Sequence, residues 1–344
     1  MARTILWGSL VLAPFTIALH YLASLPEAVE FGLAAAALIP LAWLIGEATE
    51  HAAYHTGPGI GGFLNATFGN APELIIAVLA VNEVKFEVVR GSLSGSVISN
   101  LLLVLGFSLL FGGRGKIDRQ SSFVSLGLVA LAALLFLIPA VPAFDGDPER
   151  RSIAELSIAP SVVLLLTYVA VTYVALRRHR QAHIAEVPRT AWSFGVAVAV
   201  LGVATVVTAL IAEIVVGTID DFAHDVGLSE FFVAAVIVAI VGNAAEHGGA
   251  VVVAYRGQIK LAVEIALASS AQVAVFLIPA VALVAWLIEP LALSFRPVEL
   301  VAVGASVALA AALLARGRCR RSDGVVLILA YVAVAAAFLA AGDR

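Results

Sequence analysis

Residues 69–100 read GNAPELIIAVLAVNEVKFEVVRGSLSGSVISN, and residues 242–273 read GNAAEHGGAVVVAYRGQIKLAVEIALASSAQV. The two stretches align without a gap at an offset of 173 residues. Both begin with Gly-Asn-Ala, both carry a glutamate at the fifth position (Glu73 and Glu246), and both place a serine late in the segment. Charged residues are rare and costly in apolar membrane segments, so the shared polar positions separate this match from chance similarity. The chain therefore contains an internal repeat.

The composition is that of a membrane protein. Of the 344 residues, 62% are strongly hydrophobic and 13% are charged, whereas ordinary soluble proteins are roughly 45–50% apolar even with glycine included. Because a membrane helix needs about 20 apolar residues, we expect an all-α polytopic membrane protein with about eleven transmembrane helices. A soluble enzyme, a disordered chain and a nucleic-acid-binding protein are excluded. The single cysteine, Cys319, excludes a disulfide framework and a cysteine-based metal site.

Hydrophobic runs between charged or Gly/Pro breaks set the expected boundaries of the spans. The predicted spans are 4–24, 30–53, 59–82, 88–111, 121–142, 155–177, 190–217, 228–255, 260–288, 298–315 and 324–341. The first has no small-residue cleavage site and is followed by further spans, so we interpret it as a retained helix. The expected domains are an extra N-terminal helix (1–25), a first five-helix repeat (26–178), a basic cytoplasmic linker (179–189) and a second five-helix repeat (190–344).

The repeated segment begins in the third predicted span and again in the eighth. Five spans is an odd displacement, so the two copies cross the membrane in opposite directions and form an inverted-topology repeat. In transporters built this way the substrate site lies near the midplane where the copies meet, often at broken helices. The sequence therefore predicts a transporter that works by alternating access, with its site at the repeated motif.

Basic residues predict the orientation of the chain. The loops on the N-terminal side hold 14 of the 20 lysines and arginines, and cytoplasmic loops carry such an excess. We therefore expect the N-terminus in the cytoplasm and the C-terminus outside, with the protein in a prokaryotic plasma (inner) membrane. No lysine or arginine is expected inside a span.

The two motif glutamates are the strongest candidates for chemistry. A mid-span carboxylate costs roughly 2.5–3.5 kcal/mol on insertion scales, and neither Glu73 nor Glu246 has a basic residue expected nearby in the membrane. A cation or a proton is their natural partner. Two such carboxylates facing one cavity can hold one divalent cation when ionised, or two protons when empty, so exchange of cation for protons follows.

The neighbouring residues are suited to oxygen ligation of Ca²⁺, which takes 6–8 oxygen ligands. The candidate ligands beside the two glutamates are Asn70, Asn243, Ser96, Ser99, Ser269, Gln272 and the backbone carbonyl of Phe68, which Pro72 frees from helical hydrogen bonding. The nearby sequence holds no cysteine or methionine, so a soft-metal site is not expected. Glu50, Glu213, Glu230 and His247 are candidates for secondary or vestibule roles.

Structural alternatives remain open at this point. The small residues Ser92, Ser94 and Gly95 suit close helix packing, and the two asparagines suit hydrogen bonding between helices. A permanently protonated pair of glutamates could serve as structural donors. Glu50 and Glu213 equally fit charged helix ends at the membrane surface.

The motifs resemble a known family. ATEHAAYHTGPGIGGFLNATFGNAPELIIAVLAV (48–81) and GSLSGSVISNLLLVLGFSLLFGG (91–113) resemble the first consensus repeat of the Ca²⁺/H⁺ antiporters. LSEFFVAAVIVAIVGNAAEHGGAVVVA (228–254) and IALASSAQVAVFLIPA (265–280) resemble the second. These proteins are the cation/proton exchanger (CAX) branch of the Ca²⁺/cation antiporter superfamily. The resemblance implies an exchanger driven by the proton gradient, with both motif glutamates binding Ca²⁺ and protons in turn and spans 2 and 7 acting as gating helices.

Two departures from the family pattern matter. Members often carry an acidic segment between spans 6 and 7, whereas residues 177–189 here are basic, which argues against Ca²⁺-dependent regulation there. Pro72 resembles the Na⁺/Ca²⁺ exchanger branch, although that branch favours Thr-Ser where Asn-Ala stands here. A Na⁺-coupled exchanger is thus the nearer alternative.

A cation channel and an intramembrane metallohydrolase using Glu246 and His247 are more distant alternatives. The hydrolase would need ligand spacing such as H-E-x-x-H, which the sequence lacks. No cofactor is expected beyond Ca²⁺ and H⁺ as transported ions. The expected partners are those ions and the lipid bilayer, with no nucleic acid and no obligatory protein partner.

Overall fold

A computed structural model describes residues 2–179 and 191–343. The helices are α1 (Ala2–Ser9), α2 (Leu12–Leu22), α3 (Glu27–Phe68), α4 (Ala71–Asn82), α5 (Phe86–Ile98), α6 (Leu105–Gly112), α7 (Arg119–Ala140), α8 (Arg151–His179), α9 (Phe194–Val226), α10 (Glu230–Phe232), α11 (Ala239–Gly242), α12 (Ala244–Tyr255), α13 (Ile259–Gln272), α14 (Ile278–Ala285), α15 (Pro297–Leu314) and α16 (Arg321–Ala341). Three π-helical segments, Ser99–Val104, Val233–Val238 and Val273–Leu277, continue α5, α10 and α13. Strands β1 (Gly115–Lys116) and β2 (Arg318–Cys319) form an antiparallel ribbon. The predicted all-α membrane fold is confirmed.

Within the described ranges, nine helical stretches are long and apolar enough to cross a membrane. They are Thr4–Leu22, Glu27–Thr56, Phe86–Gly112, Arg119–Ala143, Arg151–Val174, Phe194–Val226, Ile259–Ala285, Pro297–Leu314 and Arg321–Ala341. Glu230–Gly242 and Glu246–Tyr255 meet at a bend of 56° and are a tenth candidate if the bent pair is counted as one span. These ten match ten of the predicted spans, and the remaining predicted span corresponds to the end of α3 together with the shorter helix α4.

One predicted boundary is wrong. The sequence places a break between spans at residues 54–58, but α3 runs continuously from Glu27 to Phe68. Its 42 residues correspond to about 63 Å at 1.5 Å per residue, twice the thickness of a bilayer core. A proline inside a helix removes one hydrogen bond and clashes with the carbonyl of the residue four positions before it, at a cost of about 3 kcal/mol or more, and α3 nevertheless continues through the Gly-Pro pair.

Contacts divide the chain into two compact units. The first contains Met1–Leu79, Tyr168–Gly227 and Val241–Ala245, and the second contains Ala80–Thr167, Leu228–Ile240 and Glu246–Arg344. In the first unit α3 packs along α9, and the rings of Phe31 and Phe222 stack with centroids 4.2 Å apart. In the second unit α5 packs against the π-helical segment Val233–Val238. A Cβ atom on Gly95 would overlap the carbonyl oxygen of Ala235, so this approach requires glycine, and the predicted small-residue packing is confirmed at Gly95.

The sequence repeat is also a repeat of backbone conformation. Val84 and Gly257, which are 173 residues apart, both have positive φ angles, of 60° and 81°. The next residue in each copy donates its N–H back to the helix it follows: Lys85 to the Ala80 carbonyl at 2.8 Å and Gln258 to the Val253 carbonyl at 3.2 Å. Farther along, both copies contain a π-helical segment at matching positions. The two copies therefore turn and bulge in the same places.

Val84 occupies a conformation that suits glycine, which gives a stability test. For an L-residue the left-handed conformation costs roughly 1–2 kcal/mol. A Cβ on Gly257 would meet no atom within 4 Å, so Gly257→Val adds backbone strain alone and should lower the free energy of unfolding by about 1–2 kcal/mol. Val84→Gly should change it by less than about 1 kcal/mol, because relief of strain offsets the added freedom of the unfolded chain. Unfolding of both variants in detergent measures the difference; equal losses would contradict the shared turn.

The expectation that no basic residue lies inside a span is also wrong. Arg90 lies in the second turn of α5 and is only 1% exposed. Its guanidinium contacts Glu87 at 2.9 Å, Glu149 at 2.6 Å and the Ala292 carbonyl oxygen at 3.2 Å. A buried arginine is tolerated when carboxylates and carbonyls occupy its donors, and two of these three partners are distant in sequence.

Cys319 lies in β2 and is 2% exposed, with its Sγ 3.5 Å from the Gly115 carbonyl oxygen. Burial raises the pKa of its thiol above the ordinary value. Because the thiolate is the reactive form, iodoacetamide at pH 8 should alkylate Cys319 several-fold more slowly than free cysteine. Unfolding in dodecyl sulfate should restore the rate. Fast labelling of the folded protein would mean that the ribbon opens in solution, and mass spectrometry reports the extent of labelling.

Candidate cation-binding site

Both Gly-Asn pairs interrupt their helices. The helix α3 ends at Phe68 and α4 begins at Ala71, and α11 ends at Gly242 while α12 begins at Ala244. Each motif glutamate is therefore the third residue of a 12-residue helix. The first turn of a helix has unsatisfied N–H groups and a positive partial charge, which favour a carboxylate. Pro72 fits this turn because a proline there sacrifices no helical hydrogen bond.

In the first unit the break brings Asn70, Glu73, Gly242 and Asn243 into the protein interior. Glu73 is 5% exposed, and both asparagines are fully buried. Among the residues that the structure describes, neither carboxylate oxygen of Glu73 has a hydrogen-bond partner. A Cβ on Gly242 would lie 3.2 Å from the Glu73 Cγ, so the backbone at Gly242 passes directly against this side chain. An ionised carboxylate in such a place needs neutralisation by a cation or a proton.

In the second unit Glu246 has hydroxyl and amide neighbours. The Ser269 hydroxyl donates to Glu246 Oε2, and the Asn100 side-chain amide donates to the Ser269 hydroxyl at 3.2 Å. These contacts join α12, α13 and the π-helical continuation of α5. The structure therefore places the predicted residues Glu246 and Ser269 together and adds Asn100.

The other predicted ligands of the second unit lie along the same helices. Ser96 is fully buried, and the Ser99 hydroxyl donates to its carbonyl oxygen at 3.1 Å. Gln272 is half-buried at the end of α13. No group of three or more His, Cys, Asp or Glu side chains in the described ranges is arranged to hold a metal. The predicted ligands are thus carboxylate, amide, hydroxyl and carbonyl groups.

Comparison with known proteins assigns the family. The model of the family described as sodium/calcium exchanger protein matches residues 27–177 and 196–340. The chain is 39% identical over 326 residues to the Ca²⁺/H⁺ antiporter ChaA of Bacillus subtilis, covering 91% of this chain and 92% of that protein. It belongs to the cation/proton exchanger branch of this family.

Two further comparisons agree. The exchanger is 37% identical over 336 residues to vacuolar cation/proton exchanger 3 of Arabidopsis thaliana, covering 90% of this chain and 73% of that protein. Its structure superposes on the crystal structure of the Ca²⁺/H⁺ antiporter protein YfkE with a TM-score of 0.84 at 35% identity, covering 98% and 99% of the two chains. The prediction of a transporter rather than an enzyme is confirmed.

Sequence reasoning missed a second buried polar group in this exchanger. Ser94, which we expected to serve helix packing, donates to Glu299 Oε1 at 2.7 Å. Glu299 is 1% exposed, and its Oε2 accepts the Arg296 backbone N–H at 2.8 Å. Because both oxygens are hydrogen-bonded at the start of α15, this carboxyl has a capping role. A glutamate three residues after the N-cap of an apolar helix was the available signal.

The secondary candidates occupy varied positions. Glu50 is exposed and accepts the Tyr54 hydroxyl, and Glu213 is exposed on α9. The Glu230 backbone N–H donates to Asp343 at 3.3 Å. His247 is half-buried, and no hydrogen-bond partner of its Nε2 is found in the described part of the chain. Vestibule roles for all four remain predictions.

The contact between Gly242 and Glu73 can be tested with a matched pair of glycine variants. Gly242→Ala places a Cβ 3.2 Å from the Glu73 Cγ and must displace that side chain, so we expect a three- to tenfold loss of transport, on the order of what small misplacements cost. Gly248→Ala adds the same methyl group to α12 with no atom within 4 Å. This control should transport normally in reconstituted vesicles. Equal activity of the two variants would remove Gly242 from the site.

Proposed function

We propose that this protein is a secondary active transporter that exchanges Ca²⁺ for protons by alternating access, with Glu73 and Glu246 binding the cation or protons in turn. The observation that carries the proposal is the Glu73 carboxyl, which is buried at a helix break and has no hydrogen-bond partner among the described residues. The name of the Ca²⁺/H⁺ antiporter ChaA, at 39% identity, supports the choice of both ions, and the name of vacuolar cation/proton exchanger 3, at 37% identity, supports the proton.

The charge balance of the two glutamates supports exchange. Two carboxylates carry two negative charges, which one divalent cation or two protons neutralise. Neutral oxygens complete the coordination that Ca²⁺ prefers. We assign these ligand roles to Asn70, Asn243, Ser96, Ser99, Ser269, Gln272 and the Phe68 carbonyl, and we add Asn100 because it donates to Ser269.

The backbone around the motifs supports movement between two states. Broken helices are where inverted-repeat transporters bind their substrates, and both motif glutamates follow such a break. π-Helical segments often mark functional sites, and two of them continue α5 and α13, which carry the serine ligands. We assign the gating helices of the resemblance to α3 and α9, and we place the protein in a prokaryotic inner membrane with its N-terminus in the cytoplasm.

Replacing either motif glutamate tests the site. Glu73→Gln and Glu246→Gln keep the size of the side chain but lose the charge and the exchangeable proton. Loss of one charge-assisted contact costs about 1.5–3 kcal/mol, so we expect Ca²⁺ binding to weaken by one to two orders of magnitude and proton-coupled exchange to stop. The control is Glu155→Gln, which removes an exposed carboxylate 3.6 Å from Arg151 and should exchange normally.

Folded yield and Ca²⁺-driven collapse of a pH gradient are measured on the same vesicles. If Glu73→Gln or Glu246→Gln folds well and still exchanges at the normal rate, that glutamate does not belong to the site. Poor folding with normal exchange by the remaining folded protein would indicate a purely structural role.

The coupling ion is tested by changing one gradient at a time. Vesicles acidified inside should take up Ca²⁺, and a protonophore should abolish this uptake. The Na⁺-coupled alternative, which Pro72 suggests, predicts uptake that needs a Na⁺ gradient and survives the protonophore. That second result would overturn proton coupling while leaving the cation site intact.

A further inference from the structure

The ribbon β1–β2 joins two loops of the second unit that are 204 residues apart in sequence. Gly115 pairs with Cys319, and Lys116 pairs with Arg318. The first loop connects α6 to α7, and the second connects α15 to α16. Since all four of these helices are membrane spans or parts of them, the ribbon lies where spans end, at the level of the lipid headgroups.

A basic cavity of about 600 Å³ opens beside the ribbon, within the range of about 300–1,000 Å³ that is typical of ligand pockets. The polypeptide backbone at Gly115 and the buried Cys319 line it together with five cationic side chains. These are Arg114, Lys116, Arg316, Arg318 and Arg320. We refer to this feature as the basic cavity.

The carboxylates of the two loops do not neutralise the basic cavity. Asp118 contacts Lys260, outside the cavity, at 3.2 Å. The hydrogen bond from the Ser121 N–H and the contact with Lys260 hold the pKa of Asp118 below its ordinary value. Asp323 accepts from the Arg316 guanidinium at 2.8 Å and from the Arg320 backbone N–H at 2.9 Å. Among the described residues, Arg316 is the one lining cation that has a carboxylate partner. The other four lining cations, Arg114, Lys116, Arg318 and Arg320, are exposed and have no carboxylate partner in the described ranges, so they are free to bind an anion from outside the chain.

We propose that the basic cavity binds the phosphate of an anionic phospholipid headgroup from the adjoining leaflet. Arginine forks bind phosphate oxygens in a bidentate manner. Basic pockets at the ends of membrane helices attract anionic lipids, with each lysine or arginine near the surface contributing to the affinity. A bound headgroup would tie the α6–α7 loop to the α15–α16 loop, because its phosphate contacts cations from both.

The full-length protein in detergent tests this by native mass spectrometry with three probes: dioleoylphosphatidylglycerol, dioleoylphosphatidylcholine and inorganic phosphate. The anionic phosphatidylglycerol should bind more tightly than the zwitterionic phosphatidylcholine. The double variant Arg318→Gln/Arg320→Gln should weaken its binding about 25-fold, since each charge contributes about fivefold. Arg256→Gln removes an exposed arginine outside the basic cavity and should leave binding unchanged.

Thermal unfolding in phosphatidylcholine micelles checks that the variants are folded. If the double variant does not fold, the single variant Arg114→Gln replaces it, and its affinity for phosphatidylglycerol should fall about fivefold. Equal binding of the two lipids would overturn the proposal, as would undiminished phosphatidylglycerol binding by a folded variant. Inorganic phosphate that binds as tightly as phosphatidylglycerol would assign the cavity to a soluble anion, which also overturns it.

Discussion

A carboxyl group without a partner inside an apolar protein is the constraint on which the site depends. Glu73 is buried, and the described residues offer it no hydrogen bond, so a proton or a bound cation must balance its charge. The local structure is arranged around that requirement: a helix break precedes it, a helix N-terminus holds it, and Gly242 leaves space for it. Each of these features suits a buried carboxylate whose charge is balanced by a proton or a bound cation.

The two copies of the motif match in backbone but differ in side-chain contacts. Glu246 accepts a hydrogen bond from Ser269, which in turn accepts one from Asn100, whereas Glu73 has no such partner in the described ranges. The position equivalent to Asn100 in the second copy is Val273. The repeat therefore preserves the chemistry of the carboxylates and lets their surroundings diverge, so the two glutamates need not have equal affinity for a proton.

Much of this arrangement could be predicted from the sequence because it is local or periodic. The repeat, the two glutamates and the apolar spans depend on spacing along the chain. The hydrogen bond from Ser94 to Glu299 could not be predicted in this way, because its partners are 205 residues apart. The ion pair between Arg90 and Glu149 could not be predicted either, because the sequence of an apolar span does not indicate which loop contacts it. The sequence does not predict the unbroken course of α3 either, because a Gly-Pro pair is a typical signal for the end of a helix.

Some buried charged side chains have fixed partners and one does not, and this difference bears on the mechanism. Arg90 is fixed by two carboxylates and a carbonyl, and Glu299 is fixed by a hydroxyl and a backbone N–H. The fold can therefore bury an arginine beside carboxylates. An arginine that contacted Glu73 in the same way would hold it ionised and occupy its oxygens, leaving no reason to bind a cation or a proton. Permanent ion pairs and hydrogen bonds stabilise the surrounding helices. The Glu73 carboxyl has no such permanent partner, and a site whose occupant is exchanged in every cycle requires this.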